Sequence, residues 1–201
     1  MALTYHNNNS ISNVTSFAQI PSGSLTLLST ATASASASIE TNFYNIDPSY
    51  DIYKWEFINI HPSLDDSAFE FQVSIDGGST YGNTITSTAF RSLHNETDTY
   101  ANVEYRTTKD LAQSTSFQQL NDNTGNNNDQ NFNGILYLFA PQSGTYVKHF
   151  ICTTQSTTSD DFSDQYFVAG YVNTTSTIES LKFRYSSGNI DAGTIKMYGI
   201  K

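Results

Sequence analysis

The residues best suited to chemistry are four histidines, one cysteine and two pairs of adjacent aspartates. His6, His61, His94 and His149 are scattered, and no G-x-S-x-G nucleophile elbow accompanies them. His149 and Cys152 lie three residues apart. On a strand that spacing points them to opposite faces, so they do not form a thiolate–imidazole dyad there. Cys152 reads instead as a small buried apolar residue. Asp65-Asp66 and Asp160-Asp161 sit in loop-like contexts. Glycosidase carboxylates face each other about 5–10 Å apart across a cleft, which adjacency in sequence does not supply. Solvated loop charge is the expected role of both pairs. The stretch Asp122–Asp129, DNTGNNND, has the oxygen-rich character of a calcium loop but neither the spacing nor the terminal Glu of an EF-hand. No catalytic residue, no metal ligand and no cofactor is expected, and the chain reads as a non-enzyme.

One motif has an internal physical logic. Ser74-Ile75-Asp76-Gly77-Gly78-Ser79-Thr80-Tyr81 fits S-x-D-x-G-x-T-[WY]. The Asp carboxylate can accept hydrogen bonds from turn amides, and glycine supplies positive φ. The segment resembles the Asp-box hairpin turn of sialidase propellers, where it is structural. Ser74, Asp76, Gly78, Thr80 and Tyr81 are therefore expected to form a structural turn. Tyrosine is abundant, with 13 copies, and rings at loop tips can stack on sugars or anchor interfaces. Tyr81, Tyr100 and Tyr166 are the candidate contacts to a glycan or a partner.

The elements that must position these groups are strands. Tyr53, Trp55 and Phe57 share one face of Tyr50–Ile60, which predicts a central strand with its aromatic face inward. Phe69, Phe71, Val73 and Ile75 alternate with Glu70, Gln72 and Ser74, the pattern of a half-buried antiparallel strand. Ala and Ser alternate from Ala31 to Ser38, which fits a strand with a thin, flat face, or a low-complexity linker. The apolar run Gly134–Ala140 predicts a buried strand. Leu181–Tyr185 and Gly193–Ile200 predict a C-terminal hairpin. Asn121–Asn133 and Ser156–Asp164 read as polar tips, and Asp110–Leu120 as a short helix or, weakly preferred, a strand. No apolar period of 3.6 residues runs beyond two turns. Eight to ten strands with polar turns predict an all-β antiparallel sandwich of jelly-roll type. Residues 1–23, with Asn7-Asn8-Asn9 and a Pro21-Ser22-Gly23 break, are expected to be an N-terminal arm, and residues 24–201 the single sandwich domain.

Composition sets the outer limits. The chain has 201 residues, a formal charge of −10 and only 14% charged residues. Its 26 Ser, 25 Thr and 19 Asn make about a third of the chain, yet its 26 Tyr and Phe argue against disorder. Nine basic against 19 acidic residues give no footprint for nucleic acid. No apolar run approaches the ~20 residues of a membrane span, so no membrane insertion is expected. Residues 1–10 show neither the basic nor the apolar part of a leader, and one cysteine cannot form an intrachain disulfide. The sequons at Asn8, Asn13, Asn95 and Asn173 arise by chance in so Asn- and Ser/Thr-rich a chain.

The stretches ATASASASIE, YDIYKWEFINIHP, FEFQVSIDGGSTYG, DLAQST, YVKHF, VAGYVNTTS and SSGNIDAGTIKMYGIK span most of Thr30–Lys201. They resemble uncharacterised virion proteins of marine tailed bacteriophages. The resemblance implies a structural or appendage protein of a phage particle: a capsid decoration, head fibre or tail-fibre-like component, located in the virion. It implies other virion proteins as partners and a homo-oligomer, with a trimer favoured. It assigns no residue a role. The alternative expectation is a carbohydrate-binding module at a fibre tip, with a host surface glycan as ligand. Its mark would be two or more loop tyrosines lining one concave face.

Overall fold

The computed structural model describes residues 25–40 and 46–201. The expected arm, residues 1–23, lies outside the described residues. Among the described residues all regular structure is β. The strands are β1 (Leu25–Thr32), β2 (Ile52–Pro62), β3 (Phe69–Ser74), β4 (Ile85–Asn95), β5 (Ala101–Tyr105), β6 (Gln118–Gln119), β7 (Phe132–Phe139), β8 (Lys148–Thr157), β9 (Phe162–Val172), β10 (Ser180–Tyr185) and β11 (Ile190–Ile200). They form two antiparallel sheets. The larger has eight strands in the order β1-β11-β2-β7-β8-β9-β4-β5, and the smaller has the order β10-β3-β6.

Three of the pairings are nested in sequence. β2 pairs with β11 in the large sheet, β3 with β10 in the small sheet, and β4 with β9 in the large sheet again. The chain thus behaves as one long hairpin whose successive strand pairs pass from sheet to sheet. The β7–β8 hairpin fills the gap between β2 and β9 in the large sheet.

The two sheets bury their facing sides against each other, as period-2 alternation requires. The large sheet contributes Tyr53, Trp55, Phe57, Leu136, Phe150, Val168 and Ile195, and the small sheet Phe69, Phe71, Val73, Leu181 and Phe183. The aromatic rings meet at the centre. Phe57 packs edge-on against both Phe69 and Phe183, with centroids 5.3 and 5.2 Å apart, and Phe69 lies 4.9 Å from Phe132. Such pairs add about 0.5–1.5 kcal/mol each beyond the area they bury. The aromatic face of β2 is inward, as its alternation requires.

Several expectations are corrected. β3 is buried on both faces, not on one. Its polar side is roofed by the 106–117 segment: the Gln72 side-chain amide donates to the carbonyls of Asn83, Thr115 and Ser116. Asp110–Phe117 is neither helix nor strand: Ser114 makes a single bridge to Ile85, and Gln118–Gln119 pairs with β3. Leu181–Tyr185 and Gly193–Ile200 do not form a hairpin, because β10 and β11 belong to different sheets. The Ala/Ser alternation starts in β1 and then leaves it. Ala35 has φ 49°, and the chain crosses to the small sheet through single bridges from Ser36 to Ile190 and from Ile39 to Phe183. Asn121–Asn133 is no free tip. Asn121 is buried and its side-chain oxygen accepts from the Phe69 amide at 2.8 Å. Asp164 lies inside β9 and is fully buried.

Candidate functional site

The Asp-box-like segment forms a closed turn after β3. The Ser74 hydroxyl donates to Asp76 Oδ1 at 2.6 Å and accepts from the Gly78 amide at 2.9 Å. The Thr80 amide donates to Asp76 Oδ1 and the Thr80 hydroxyl to Oδ2, at 2.9 and 2.6 Å. Gly77 and Gly78 both have positive φ. The hydrogen bonds from Ser74 and Thr80 bring the Asp76 carboxyl down to about 2. The turn's chemistry is spent on its own backbone.

The three candidate tyrosines do not converge. Tyr81 packs back on the small sheet, its hydroxyl 3.1 Å from Ser180 Oγ and its ring under Lys182 Nζ at 4.4 Å. Tyr100 is exposed at the β4–β5 hairpin, edge-on to Phe162. Tyr166 is fully buried on the inner side of β9 and cannot touch a ligand at the surface. The period-2 pattern of β9 turns Tyr166 inward with Asp164 and Val168. His149 and Cys152 point to opposite sides of β8, and burial pushes the Cys152 thiol far up. The two aspartate pairs tie loops together. Asp66 Oδ1 accepts from Asn123 and from the Ser159 hydroxyl, and Asp161 accepts from Gln130. Among the described residues no group of three or more His, Cys, Asp and Glu could hold a metal ion.

Behind Tyr166 lies an ionic clamp that the sequence did not disclose. Arg91 of β4 contacts Glu104 of β5 at 2.8 Å, Asp122 at 3.1 Å and Asp164 of β9 at 3.2 Å. Arg106 contacts Glu104 and Asp122, and Lys109 contacts Asp122. Three cations face three carboxylates. Burial pushes the Asp164 carboxyl up to about 6, with Arg91 pulling against it. Burial pushes Asp122 the same way, but Lys109, Arg106 and Arg91 outweigh it and hold that carboxyl low. Burial also pushes the Tyr166 phenol up. The clamp ties β5 and the 106–122 segment to β4 and β9.

Among the described residues, the outer face of the large sheet is a broad surface open to a partner. Register places Tyr105, Phe90, Phe167, Thr153, Ile135, Glu56 and Lys196 in one row across seven strands. Thr88, Ala169, Ile151, Tyr137, Lys54, Tyr198 and Leu27 form the next row. Phe90, Tyr105, Ile151 and Leu27 are 44–53% exposed. Phe90 stacks on Phe167 with centroids 4.9 Å apart, and beside them opens an apolar dimple of about 200 Å³. Charge in these two rows is confined to Lys54, Glu56 and Lys196, and Lys54 is already paired with Glu56 at 2.6 Å. Exposed apolar patches beyond a few hundred Å² mark interaction sites. Among the described residues the sheet ends at β1 and β5, and an unpaired strand edge is a template for pairing. Neither the face nor the clamp could be found from one strand at a time, since both arise from strand order. Comparison with protein-family models, curated proteins and solved structures gave no match.

Proposed function

We propose that this chain is a non-enzymatic structural protein of a bacteriophage particle, acting by assembly with copies of itself and with other virion proteins. The observation that carries the reading is the outer face of the eight-stranded sheet. It is wide, aromatic and nearly free of unpaired charge, so it suits protein contact better than it suits water. Ser, Thr and Asn in place of Lys and Glu keep the remaining surface soluble with little dependence on salt, in keeping with a particle that persists in a saline medium. We read the sandwich as jelly-roll-like, because β2–β11, β3–β10 and β4–β9 nest and alternate between sheets as a rolled hairpin does.

The test is the copy number and position of the chain in a cryo-EM map of the intact particle. Hundreds of copies over the shell fit a capsid decoration, and a few at the tail fit a fibre or adaptor. Absence from the particle would overturn the assignment.

A further inference from the structure

The long strand β2 is broken at Asn59. Its pairing slips against β7 between Phe57 and Ile60, and β11 slips against it twice, between Ile190 and Thr194. Asn59 itself has φ 52°. Bulges re-aim side chains and recur beside functional sites, and a non-glycine residue in the left-handed region is a strained position that the surroundings must hold. Here the surroundings are two more asparagines. The Asn59 amide donates to Asn133 Oδ1 at 2.8 Å, Asn133 Nδ2 donates to Asn131 Oδ1 at 2.7 Å, and Asn131 Nδ2 reaches back to Asn59 Oδ1 at 3.5 Å. The three close a ring through the Asn59 backbone amide, which orients the carboxamides of Asn133 and Asn131.

Two members of the ring, Asn59 and Asn131, line a groove of about 370 Å³ together with His61, Asn128, Gln130 and Asp191. His61 Nε2 is held 3.2 Å from the Asn127 carbonyl. Among the described residues, Asn59 Nδ2, the Asn128 amide and the Asp191 carboxylate make no hydrogen bond, and all three residues are exposed. The volume lies at the lower end of small-ligand sites, ~300–1,000 Å³. We propose that this groove binds a neutral saccharide.

The chemistry follows from the donor set. A pyranose presents neighbouring hydroxyls, each both donor and acceptor. Asn59 Nδ2 offers a donor, the Asn128 carboxamide a donor and an acceptor in one plane, and the Asp191 carboxylate accepts from two hydroxyls at once. With Asp191 the one carboxylate in the lining and neither Lys nor Arg present, an anionic sugar would lack a counter-charge. The site is shallow and lacks an aromatic platform, so a single groove should bind in the millimolar range, and an array of copies would gain by avidity. The assignment does not rest on the virion role, and either can fail alone.

The test is a titration followed by the side-chain amide signals of the ¹H–¹⁵N spectrum of the full chain. The probes are methyl α-mannopyranoside, methyl β-galactopyranoside and N-acetylglucosamine, with glucuronate as the anionic comparison. The expected result is saturable movement of the Asn59, Asn128 and Asn131 NH₂ signals with at least one neutral sugar. Asn128→Ala and Asp191→Asn should each weaken that binding at least tenfold while leaving the backbone spectrum intact, because neither side chain belongs to the asparagine ring. No saturable movement with any neutral sugar, movement with glucuronate alone, or binding unchanged in both variants would overturn the proposal.

Discussion

Arg91 Nη1 donates to Asp164 Oδ2 at 3.2 Å across the β4–β9 pair, and Asp164 is fully buried while its other oxygen has no hydrogen-bond partner among the described residues. A carboxylate with one satisfied oxygen in the interior is held at a cost. Its ionisation at about 6, against 3.8 in water, expresses that cost.

The sign of the resulting pH dependence is fixed. Between about pH 4 and about pH 6 the folded chain keeps the Asp164 proton and the unfolded chain has lost it, so stability falls as pH rises through this window. The slope is at most about 1.4 kcal/mol per pH unit. Asp122 and Glu104, held low, act oppositely and lose their contribution as pH falls below about 4. Urea denaturation of the parent and of Asp164→Asn from about pH 4.5 to about pH 7.5 should show a falling trend in the parent and a flatter one in the variant. Parallel curves would exclude Asp164 as the source.

Lys148 is buried, and its ammonium donates to the carbonyls of Ser143, Tyr146 and Thr174. It gathers the β7–β8 loop and the end of β9. Lys148→Met keeps the stem but leaves those carbonyls unpaired. It should lower unfolding free energy by roughly 1–3 kcal/mol in denaturant titration. A change below about 0.5 kcal/mol would mean that water reaches these carbonyls.

Gly193 has φ 121°, and a Cβ there would stand 2.6 Å from the Asn59 carbonyl oxygen and 2.7 Å from Ile60 Cα. Both contacts are backbone, which cannot swing aside. Gly193→Ala should cost on the order of 1–3 kcal/mol and shift the Asn59 and Asn131 amide signals, since β11 presses on the bulge.

Phe90 and Ile151 stand on the outer face of the large sheet, 44% and 49% exposed. Phe90→Lys gives up the stack on Phe167 and should cost the monomer about 0.5–1.5 kcal/mol, and Ile151→Glu under about 1 kcal/mol. The proposed self-assembly through this face predicts a shift towards monomer for the double variant in light scattering. An unchanged mass for the double variant would remove this face from the assembly contact.

Much of the framework is legible in the residues. Tyr53, Trp55 and Phe57 announce their inward face through alternation alone, and Asp76-Gly77-Gly78 announces its turn, because both are local effects. What is not legible depends on pairing across long separations. Glu70, Gln72 and Ser74 look like a wet face until Arg184 pairs with Glu70, the Thr115 and Ser116 carbonyls accept from Gln72, and the Asp76 turn takes up Ser74. Arg91, Asp122 and Asp164 are ordinary charges until β4 and β9 align. Tyr166 looks like a ring for display until the phase of β9 turns it inward. Asn59, Asn131 and Asn133 belong to two strands and a loop, and only the slip in β2 brings their amides together.

The pairing of Leu25 with Ile200, and of Ile200 with Ile52, puts three strand ends at one border of the molecule. The asparagine ring sits near the opposite end of β2, about seven residues or ~23 Å away along the strand. Leu25 and Ile200 therefore stand at the end of the sheet remote from the groove. A copy tethered through either point is polarised, holding its carboxamides away from whatever carries it.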